Sequence, residues 1–341
     1  MYEYIIVTHI PAFYKVNLYN ELAKNLNILV VFIASNTAEK RADDFIVLNN
    51  AKFKYKVLFD GDFQARDVIE NIQKLVKLLK QIEYKKLLVS GWDLKEFWYL
   101  IFTNPKVKNC LALESTINES RVGGIRGFIK KIFLSRISTV FASGKLHVEL
   151  LKALKYKSEI KITKGVGIIN KPNIDNIKKE YRKRFLFIGR LSVEKNIELL
   201  IDIFNELEQL TLTVVGVGPL EQKLKDKAKS NIIFEGQVEN QKIKQYFEIN
   251  DIFILPSMAE PWGLVVEEAL YFGMPVIVSK NCGASELIKD KVNGYVVDLD
   301  YSNSLKSTIL NIDDNIYQKL VHFVNELSVR KKDTEQVQIY L

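Results

Sequence analysis

Cysteine is scarce in this sequence, and long apolar runs are missing from it. Only two cysteines occur among 341 residues, Cys110 and Cys282, and their separation does not match a metal-ligand motif. This usage excludes a disulfide-stapled scaffold and indicates a reducing, cytoplasmic setting. No run reaches the roughly 18 apolar residues that a membrane-spanning helix needs. The start, MYEYIIVTHIPAF, lacks a basic region and a small-residue cleavage site, so no signal peptide is predicted.

The composition is that of an ordinary folded protein, with 48% apolar and 26% charged residues over a length that allows two domains. The net charge of +8 is unevenly distributed. Residues 1–165 hold 27 Lys and Arg against 16 Asp and Glu, a balance of +11, whereas residues 166–341 hold 22 against 25, a balance of −3. The basic first half indicates either an anionic partner or a solvated lysine-rich surface.

Strand-like and helix-like segments alternate along the whole chain. In the second half the strand candidates FLFIG, LTLTVVG, IIFEG, DIFILPS and PVIVS are separated by helical patterns. Such alternation predicts an α/β fold with parallel sheets, and two sets of it predict two Rossmann-like, doubly wound domains. A polar stretch with Gly165, Gly167 and Pro172 places the boundary near residue 165, which gives domains at 1–165 and 166–325.

Two βα junctions of the second half carry residues suited to a phosphorylated ligand. The segment FIGRLSVEKN ends a strand at Gly189 and places Arg190 and Lys195 before the next helix, as a diphosphate clamp requires. The alternative is two exposed basic residues in a loop. At the next junction, VVGVGPLEQ, the two glycines allow close backbone approach or simply a tight turn.

A third junction, EPWGLVVEEAL at residues 260–270, places acids on both sides of a helix start. Gly263, Leu264 and Val265 would offer backbone N–H groups to an anion. Acids that complement the helix dipole would explain Glu267 and Glu268, but they leave Glu260 unexplained. We expect Glu267 to be a surface acid.

Together the three junctions resemble the donor domain of retaining family 4 glycosyltransferases, over about residues 185–298. The segments that carry the resemblance are GRLSVEKN, VVGVGPLEQ, FEGQVENQKIKQYFEINDIFILPS, EPWGLVVEEALYFGMPVIVS, GASELI and NGYVV. That family has the GT-B fold, in which two Rossmann-like domains face each other across a cleft. The resemblance also implies that the last segment, 326–341, is helical and packs back on the first domain. Trp262 stands where that family commonly has Phe.

The resemblance implies specific roles for these residues. Arg190 and Lys195 would hold the donor diphosphate and stabilise the leaving group, and Glu260 would contact the transferred sugar; we take these three as the catalytic set. The expected donor-binding residues are Gly189, Gln237, Val238, Gly263, Leu264, Val265 and Glu268. Glu268 would bind the ribose, and the loop at residues 237 and 238 would pack on the base.

The first domain carries weaker indications of a site. His9 follows the first strand and could serve the acceptor side, although a lone loop histidine is more often structural. Asp93 in SGWD and Glu114 in LESTIN end strands and are further acceptor-side candidates. His147 and His322 lie in helical patterns and are expected to play no role.

Residues 121–138, RVGGIRGFIKKIFLSRIS, contain five basic residues and no acid among apolar ones. As an amphipathic basic helix this segment could lie on an anionic membrane, or it could pack its apolar face on the sheet of the first domain. The first alternative would place the protein at the inner face of the cytoplasmic membrane.

The resemblance, together with the basic first half, implies a retaining, metal-independent glycosyltransferase that moves a sugar from a UDP- or GDP-linked donor to a glycan or lipid-linked acceptor in bacterial surface polysaccharide or lipopolysaccharide synthesis. No cofactor is expected besides the nucleotide sugar as co-substrate. The tripeptides DGD at 60–62 and DLD at 298–300 are interpreted as turn acids and not as a metal site. The alternatives are a nucleotide-sugar epimerase of the same fold and a non-catalytic nucleotide-sugar-binding subunit. Nucleic acid is not expected as a partner, because the basic half lacks interleaved stacking aromatics.

Overall fold

The computed structural model describes residues 1–39, 41–42, 44–174, 180–301, 303–326 and 329–341, apart from the side chains of residues 325 and 326. The chain forms two compact units, one of residues 1–170 with 332–341 and one of residues 171–331. The expected boundary lay at residue 165, five residues before the observed one. Part of the polar stretch that suggested this boundary, residues 175–179, lies outside the described residues, as do residues 327 and 328 of the expected C-terminal segment.

The first unit is built on a parallel sheet of seven strands in the order β3-β2-β1-β4-β5-β6-β7. Its strands are β1 Tyr2–Thr8, β2 Ile28–Asn36, β3 Lys54–Asp62, β4 Tyr84–Val89, β5 Asn109–Leu113, β6 Thr139–Ala142 and β7 Glu159–Ile162. Its helices are α1 Phe13–Leu22, α2 Val68–Lys80, α3 Lys95–Thr103, α4 Gly124–Ser135 and α5 Lys145–Ala153. The strand β2 is buried over its first seven residues because both faces of the sheet are covered.

The second unit has a parallel sheet of six strands in the order β10-β9-β8-β11-β12-β13. These strands are β8 Arg184–Ile188, β9 Thr211–Val215, β10 Ile232–Gly236, β11 Ile252–Leu255, β12 Val276–Ser279 and β13 Gly294–Val297. The helices are α6 Ile197–Glu206, α7 Glu221–Lys227, α8 Ile243–Ile249, α9 Leu264–Tyr271, α10 Ser304–Leu310 and α11 Asp314–Glu326. A last helix, α12, runs from Val329 to Tyr340.

Both sheets have the Rossmann strand order, so each has one place where the direction of winding reverses. In the first unit it lies between β1 and β4, and in the second between β8 and β11. Ligands of open α/β sheets bind beyond the carboxyl ends of the strands at this reversal. The predicted α/β class with two Rossmann-like domains is confirmed.

The C-terminal residues 332–341 belong to the first unit. The ring of Tyr340 stacks on that of Phe141 with 4.4 Å between centroids. Tyr4 and Lys161 add hydrogen bonds of 3.2 Å and 3.1 Å to the last backbone carbonyls of α12. The end of the chain is therefore anchored on the sheet of the first unit by both packing and polar contacts.

The helix α4 exposes most of the apolar residues of its basic segment. Phe133 is fully buried, whereas Ile125, Phe128, Ile129 and Ile132 are 79%, 64%, 44% and 37% exposed. Packing on the sheet thus accounts for the C-terminal end of the helix and leaves its N-terminal half as an apolar surface between basic residues.

The interpretation of DGD at 60–62 as a turn is wrong. These residues form the end of β3, where Asp60 accepts a hydrogen bond of 2.8 Å from the Ser35 hydroxyl. The same hydroxyl accepts from the backbone N–H of Gly61 at 2.8 Å. Asp60 therefore adds a side-chain hydrogen bond between β3 and β2 to the backbone hydrogen bonds that already pair these strands.

Candidate active site

The loop after β8 brings two cations to the point where the second sheet reverses. Arg190 follows directly after Gly189 and is exposed, and Lys195 ends a short 3₁₀ turn before α6. The side chain of Lys195 is 20% exposed. The loop is tied to the neighbouring strand's loop, because the backbone N–H of Met258 donates to the carbonyl of Glu194 at 2.8 Å. Both cations therefore lie beside the carboxyl end of β11.

Gly216 allows the loops after β8 and β9 to touch. Its φ of +132° is unfavourable for residues with a side chain. A Cβ on Gly216 would lie well inside 3.0 Å of the Gly189 carbonyl oxygen, a separation that real Cβ atoms essentially never show. A glycine is therefore needed here for two reasons: the turn has a positive φ, and the backbone that carries Arg190 leaves no space for a side chain.

Glu260 reaches Lys195 across the two neighbouring loops. The carboxylate Oε2 accepts directly from Lys195 Nζ, and the Glu260 side chain is only 12% exposed. Its backbone is held by two bonds to the loop after β12, since Glu260 N donates to Asn281 O at 3.2 Å and Gly283 N donates to Glu260 O at 2.9 Å. The half-buried carboxylate of Glu260 and the half-buried ammonium group of Lys195 therefore form an ion pair that is held in place at the strand ends.

The N-terminus of α9 lies immediately after this carboxylate. Gly263 has φ of +96° and caps the helix without any side-chain hydrogen bond. Leu264 and Val265 begin the first turn and are half-buried. This geometry presents backbone N–H groups at the positive end of the helix dipole.

The expectation that Glu267 is a surface acid is wrong. Glu267 is fully buried, and its Oε1 accepts a hydrogen bond of 2.5 Å from the indole Nε1 of Trp262, which is itself 2% exposed. The helical pattern of the sequence does not reveal this burial. A carboxylate is tolerated inside the protein only when the tertiary structure brings a hydrogen-bond donor to it.

Glu268, the expected ribose partner, is the next residue on α9. Burial raises the pKa of its carboxyl to about 8, and the charge of the neighbouring Glu267 adds to this rise. Gln237 and Val238 follow β10 as predicted, with Gln237 exposed and Val238 half-buried.

In the first unit, His9 and Asp93 meet where that sheet reverses. His9 follows β1 and Asp93 follows β4, and His9 Nε2 lies 2.9 Å from Asp93 Oδ2. Burial by itself would raise the pKa of Asp93, but the hydrogen bond and charge of His9 outweigh it and lower that pKa. The His9 ring also packs edge-on against Phe97 at 5.3 Å between centroids.

Glu114, directly after β5, is paired with a residue that the sequence analysis overlooked. Lys15 Nζ lies 2.7 Å from Glu114 Oε1 and donates to the Thr8 hydroxyl at 3.3 Å, although Lys15 is only 5% exposed. Burial would lower the pKa of Lys15, but the Glu114 carboxylate outweighs this and raises it. The available signal was a single lysine within the helix FYKVNLYNEL, whose other residues before Glu21 are uncharged.

His147 lies beside Glu114, whose charge acts on its ring, whereas His322 lies on α11 of the second unit. His147 is fully buried in α5, and burial lowers its pKa to about 4, so its ring is neutral at pH 7. His322 is exposed on α11. Within the described residues, His, Cys, Asp and Glu nowhere gather in a group of three that could hold a metal ion. None of the helices in this part of the chain has the length and apolar character that crossing a membrane needs.

Comparison with known proteins addresses the second unit most directly. Residues 170–316 match the family described as glycosyl transferases group 1. The second unit of this chain is thus similar to the group 1 glycosyltransferases. The resemblance inferred from the three junctions is thereby confirmed, and the match covers the segment that holds Arg190, Lys195, Glu260 and Glu268.

Three similar proteins extend the comparison. A 41.2 kDa protein of the cps region of Klebsiella pneumoniae is 30% identical over 46% of this chain and 42% of its own length. Alpha-monoglucosyldiacylglycerol synthase of Streptococcus pneumoniae is 26% identical over 94% of this chain and 80% of its own length. Among solved structures, Anabaena HepE in complex with UDP and glucose has a TM-score of 0.70 at 17% identity, with 98% of both chains covered.

These matches differ in how much of each protein they cover. The match spans 42% of the length of the Klebsiella protein, less than half of it, whereas the match to the Streptococcus synthase spans 80% of that protein. The structural likeness covers nearly the entire chain, and at 17% identity it shows the fold alone. That fold is the GT-B fold, as the resemblance implied.

Proposed function

We propose that this protein is a retaining glycosyltransferase that transfers a sugar from a UDP- or GDP-linked donor to a glycan or lipid-linked acceptor, without a metal ion. The observation that carries the proposal is the Lys195–Glu260 pair beside Arg190, at the reversal of the sheet in a group 1 glycosyltransferase domain. The UDP and glucose bound to Anabaena HepE support a nucleotide-sugar donor for a chain of the same fold.

The two cations suit the charge that develops in this reaction. When the bond between the sugar C1 and the diphosphate oxygen breaks, its electron pair goes to the nucleoside diphosphate. Arg190 and Lys195 would stabilise this added negative charge without a metal. The Lys195 ammonium has three N–H donors, so it can hold a phosphate oxygen while it keeps Glu260 in place.

Retention follows if the acceptor attacks from the face that the diphosphate leaves. The acceptor oxygen forms the new bond to C1, and its proton passes to the departing phosphate oxygen. Glu260, fixed at the strand ends, would bind hydroxyl groups of the sugar as C1 acquires oxocarbenium character. On this route, no protein base has to take the acceptor proton.

The first test is transfer from a panel of UDP- and GDP-sugars, with release of nucleoside diphosphate and the glycan product both measured. We expect Glu260→Gln to lower kcat by a factor of about 100 or more at unchanged circular dichroism, in the range seen when a group that stabilises the transition state is removed. Lys229→Ala, which alters an exposed cation of the same unit, is the matched control. Wild-type activity in Glu260→Gln would refute the assignment.

Product analysis also separates the alternatives. An epimerase would convert the donor to a different sugar with no acceptor present, and a non-catalytic subunit would bind the donor without turnover. The proposed transferase requires an acceptor for full turnover. We expect its rate to persist in EDTA, and a loss of activity that Mg²⁺ or Mn²⁺ restores would contradict the metal-independent step.

We also propose that α4 docks the protein on an anionic membrane, where a lipid-linked acceptor would be met. Its four exposed apolar side chains lie beside Arg126, Lys130 and Lys131, a combination that suits insertion at the headgroup boundary. Alpha-monoglucosyldiacylglycerol synthase, whose name describes a lipid product, supports an acceptor of this class.

Vesicle sedimentation tests the membrane proposal. Binding to vesicles containing phosphatidylglycerol should exceed binding to phosphatidylcholine vesicles, and Ile125→Ser with Phe128→Ser should abolish it. Ile233→Ser, at an exposed apolar residue of the second unit, is the control. Equal binding of the double variant and the parent protein would overturn this docking surface.

A further inference from the structure

The buried Trp262–Glu267 contact lies at the base of the proposed donor site and has no role in the mechanism above. The tryptophan precedes the helix cap Gly263, and the glutamate lies within the first turn of α9. Their hydrogen bond therefore spans the residues whose backbone N–H groups would meet the donor, namely 263, 264 and 265. Indole nitrogen can only donate, so the direction of this bond is certain.

Trp262 is also joined to the loop after β12. Its carbonyl accepts from Ala284 N at 2.8 Å and from the Cys282 thiol at 3.0 Å. A Cβ on Gly263 would lie 3.0 Å from the Cys282 sulfur, so the turn has little room to move. Trp262 thus connects three segments, which are the loop after β11, the loop after β12 and α9.

A phenylalanine at position 262 would fill most of this space but would leave the Glu267 carboxylate without the indole donor. Removing one hydrogen bond from a buried carboxylate is costly, so the first turn of α9, which carries this group, would shift. The tryptophan and the buried acid are consequently matched to each other.

We infer that Trp262 and Glu267 are a positioning pair, which holds the first turn of α9 in the orientation that binds the donor. This inference rests on the proposed donor site. It adds two residues that do not touch the donor themselves, and it predicts that the effects of substitutions at positions 262 and 267 are coupled.

The pair also acts on Glu268 through charge. Glu267 is the neighbour whose negative charge acts most strongly on this carboxyl, and together with burial it favours the protonated form. Other charged groups on the elements packed against α9 are Glu286 on the turn at 283–287 and Asp314, Lys319 and His322 on α11. If ribose hydroxyls donate to an ionised Glu268, affinity for UDP should rise with pH as this group ionises.

The test is calorimetric titration of UDP into the full chain between pH 6.5 and 9, with four variants. Trp262→Phe should weaken UDP binding about tenfold, which corresponds to about 1.4 kcal/mol. Glu267→Gln keeps an acceptor for the indole but removes the charge, so it should move the pH midpoint of binding to lower pH. The double variant Trp262→Phe with Glu267→Gln closes a cycle with the two single variants and reports their coupling, and Glu286→Gln is the control for loss of a nearby charge.

Circular dichroism and thermal unfolding show whether each variant is folded before it is titrated. A purely structural pair would lower the unfolding temperature yet leave the UDP affinity and its pH profile within twofold of the parent values, and this outcome would overturn the inference. Failure of the parent protein to bind UDP or GDP would instead reject the donor site itself. The two failures are therefore distinguishable in the same series.

Discussion

Replacing Gly216 by alanine should disrupt the backbone contact that supports Arg190. The added Cβ would come far inside 3.0 Å of the Gly189 carbonyl oxygen, so the loops after β8 and β9 must separate by roughly 1 Å. Overpacking of this kind costs about 1–3 kcal/mol, and a side chain at φ of +132° adds about 1–3 kcal/mol of backbone strain. We expect the free energy of unfolding of the second unit to fall by about 3 kcal/mol or more.

Gly236→Ala is the matched control for this effect. Gly236 also has a positive φ, of +70°, but a Cβ there would meet nothing within 4 Å. The control therefore carries the conformational cost without the clash, and we expect a loss of about 1 kcal/mol. Urea unfolding followed by circular dichroism measures both values, through the midpoint and the slope of each transition.

The same displacement should reach the donor site. A shift of roughly 1 Å in a positioning element can lower turnover by about 100-fold, so Gly216→Ala that remains folded should bind UDP and turn over more weakly than Gly236→Ala. If the two variants lose equal stability and bind UDP with equal affinity, the contact between Gly216 and Gly189 does not support the site as argued.

The remaining predictions concern packing, protonation and reactivity. Phe133→Ala should lower the free energy of unfolding by about 3–5 kcal/mol because Phe133 is fully buried. Phe128→Ala, at a 64% exposed residue, should change it by less than about 0.5 kcal/mol. Equal losses in urea unfolding would contradict the exposure of the apolar side chains of α4. The pKa of His147 is lowered to about 4 in the folded protein, whereas an unfolded histidine has a pKa of about 6.5. Between pH 6.5 and 4 the unfolded state therefore binds a proton that the folded state does not, and the free energy of unfolding falls by up to about 3 kcal/mol as the pH is lowered through this range. His147→Leu should lose that part of the pH dependence, and an unchanged pH profile would refute the neutral buried ring. Cys110 and Cys282 are buried with raised thiol pKa values, so a disulfide reagent at pH 8 should label both only after unfolding in urea; rapid labelling of the native protein would contradict their burial.

Local patterns were sufficient for the elements that position the site. The buried strand DIFILPS and the helix from Leu264 appear as β11 and α9, and the cations after β8 precede α6 as expected. Alternation of strands and helices permits only a few parallel topologies, because crossovers are right-handed and short. The strand ends that carry Arg190 and Glu260 could therefore be assigned to the same edge of one sheet before their neighbours in space were known.

Local patterns failed where a side chain's environment comes from another segment. Glu267 has a neighbour, Glu268, of identical chemistry, and helical spacing alone does not say which of the two accepts the hydrogen bond of the Trp262 indole. Lys15 likewise carries an ammonium group that is almost always exposed, and it is buried because Glu114, about 100 residues later in the chain, supplies a carboxylate.

The sequence by itself determined the class of the fold, the glycosyltransferase resemblance and the residues placed at the strand ends of the second domain. These follow from periodicity and from short segments whose function depends on residues close together in the chain. Only the tertiary structure decided which charges are paired: Lys195 with Glu260, Lys15 with Glu114, and the Trp262 indole with Glu267. The physical reason is that the cost of burying a charge depends on the partner that the fold brings to it, and that partner lies in a different segment of the chain.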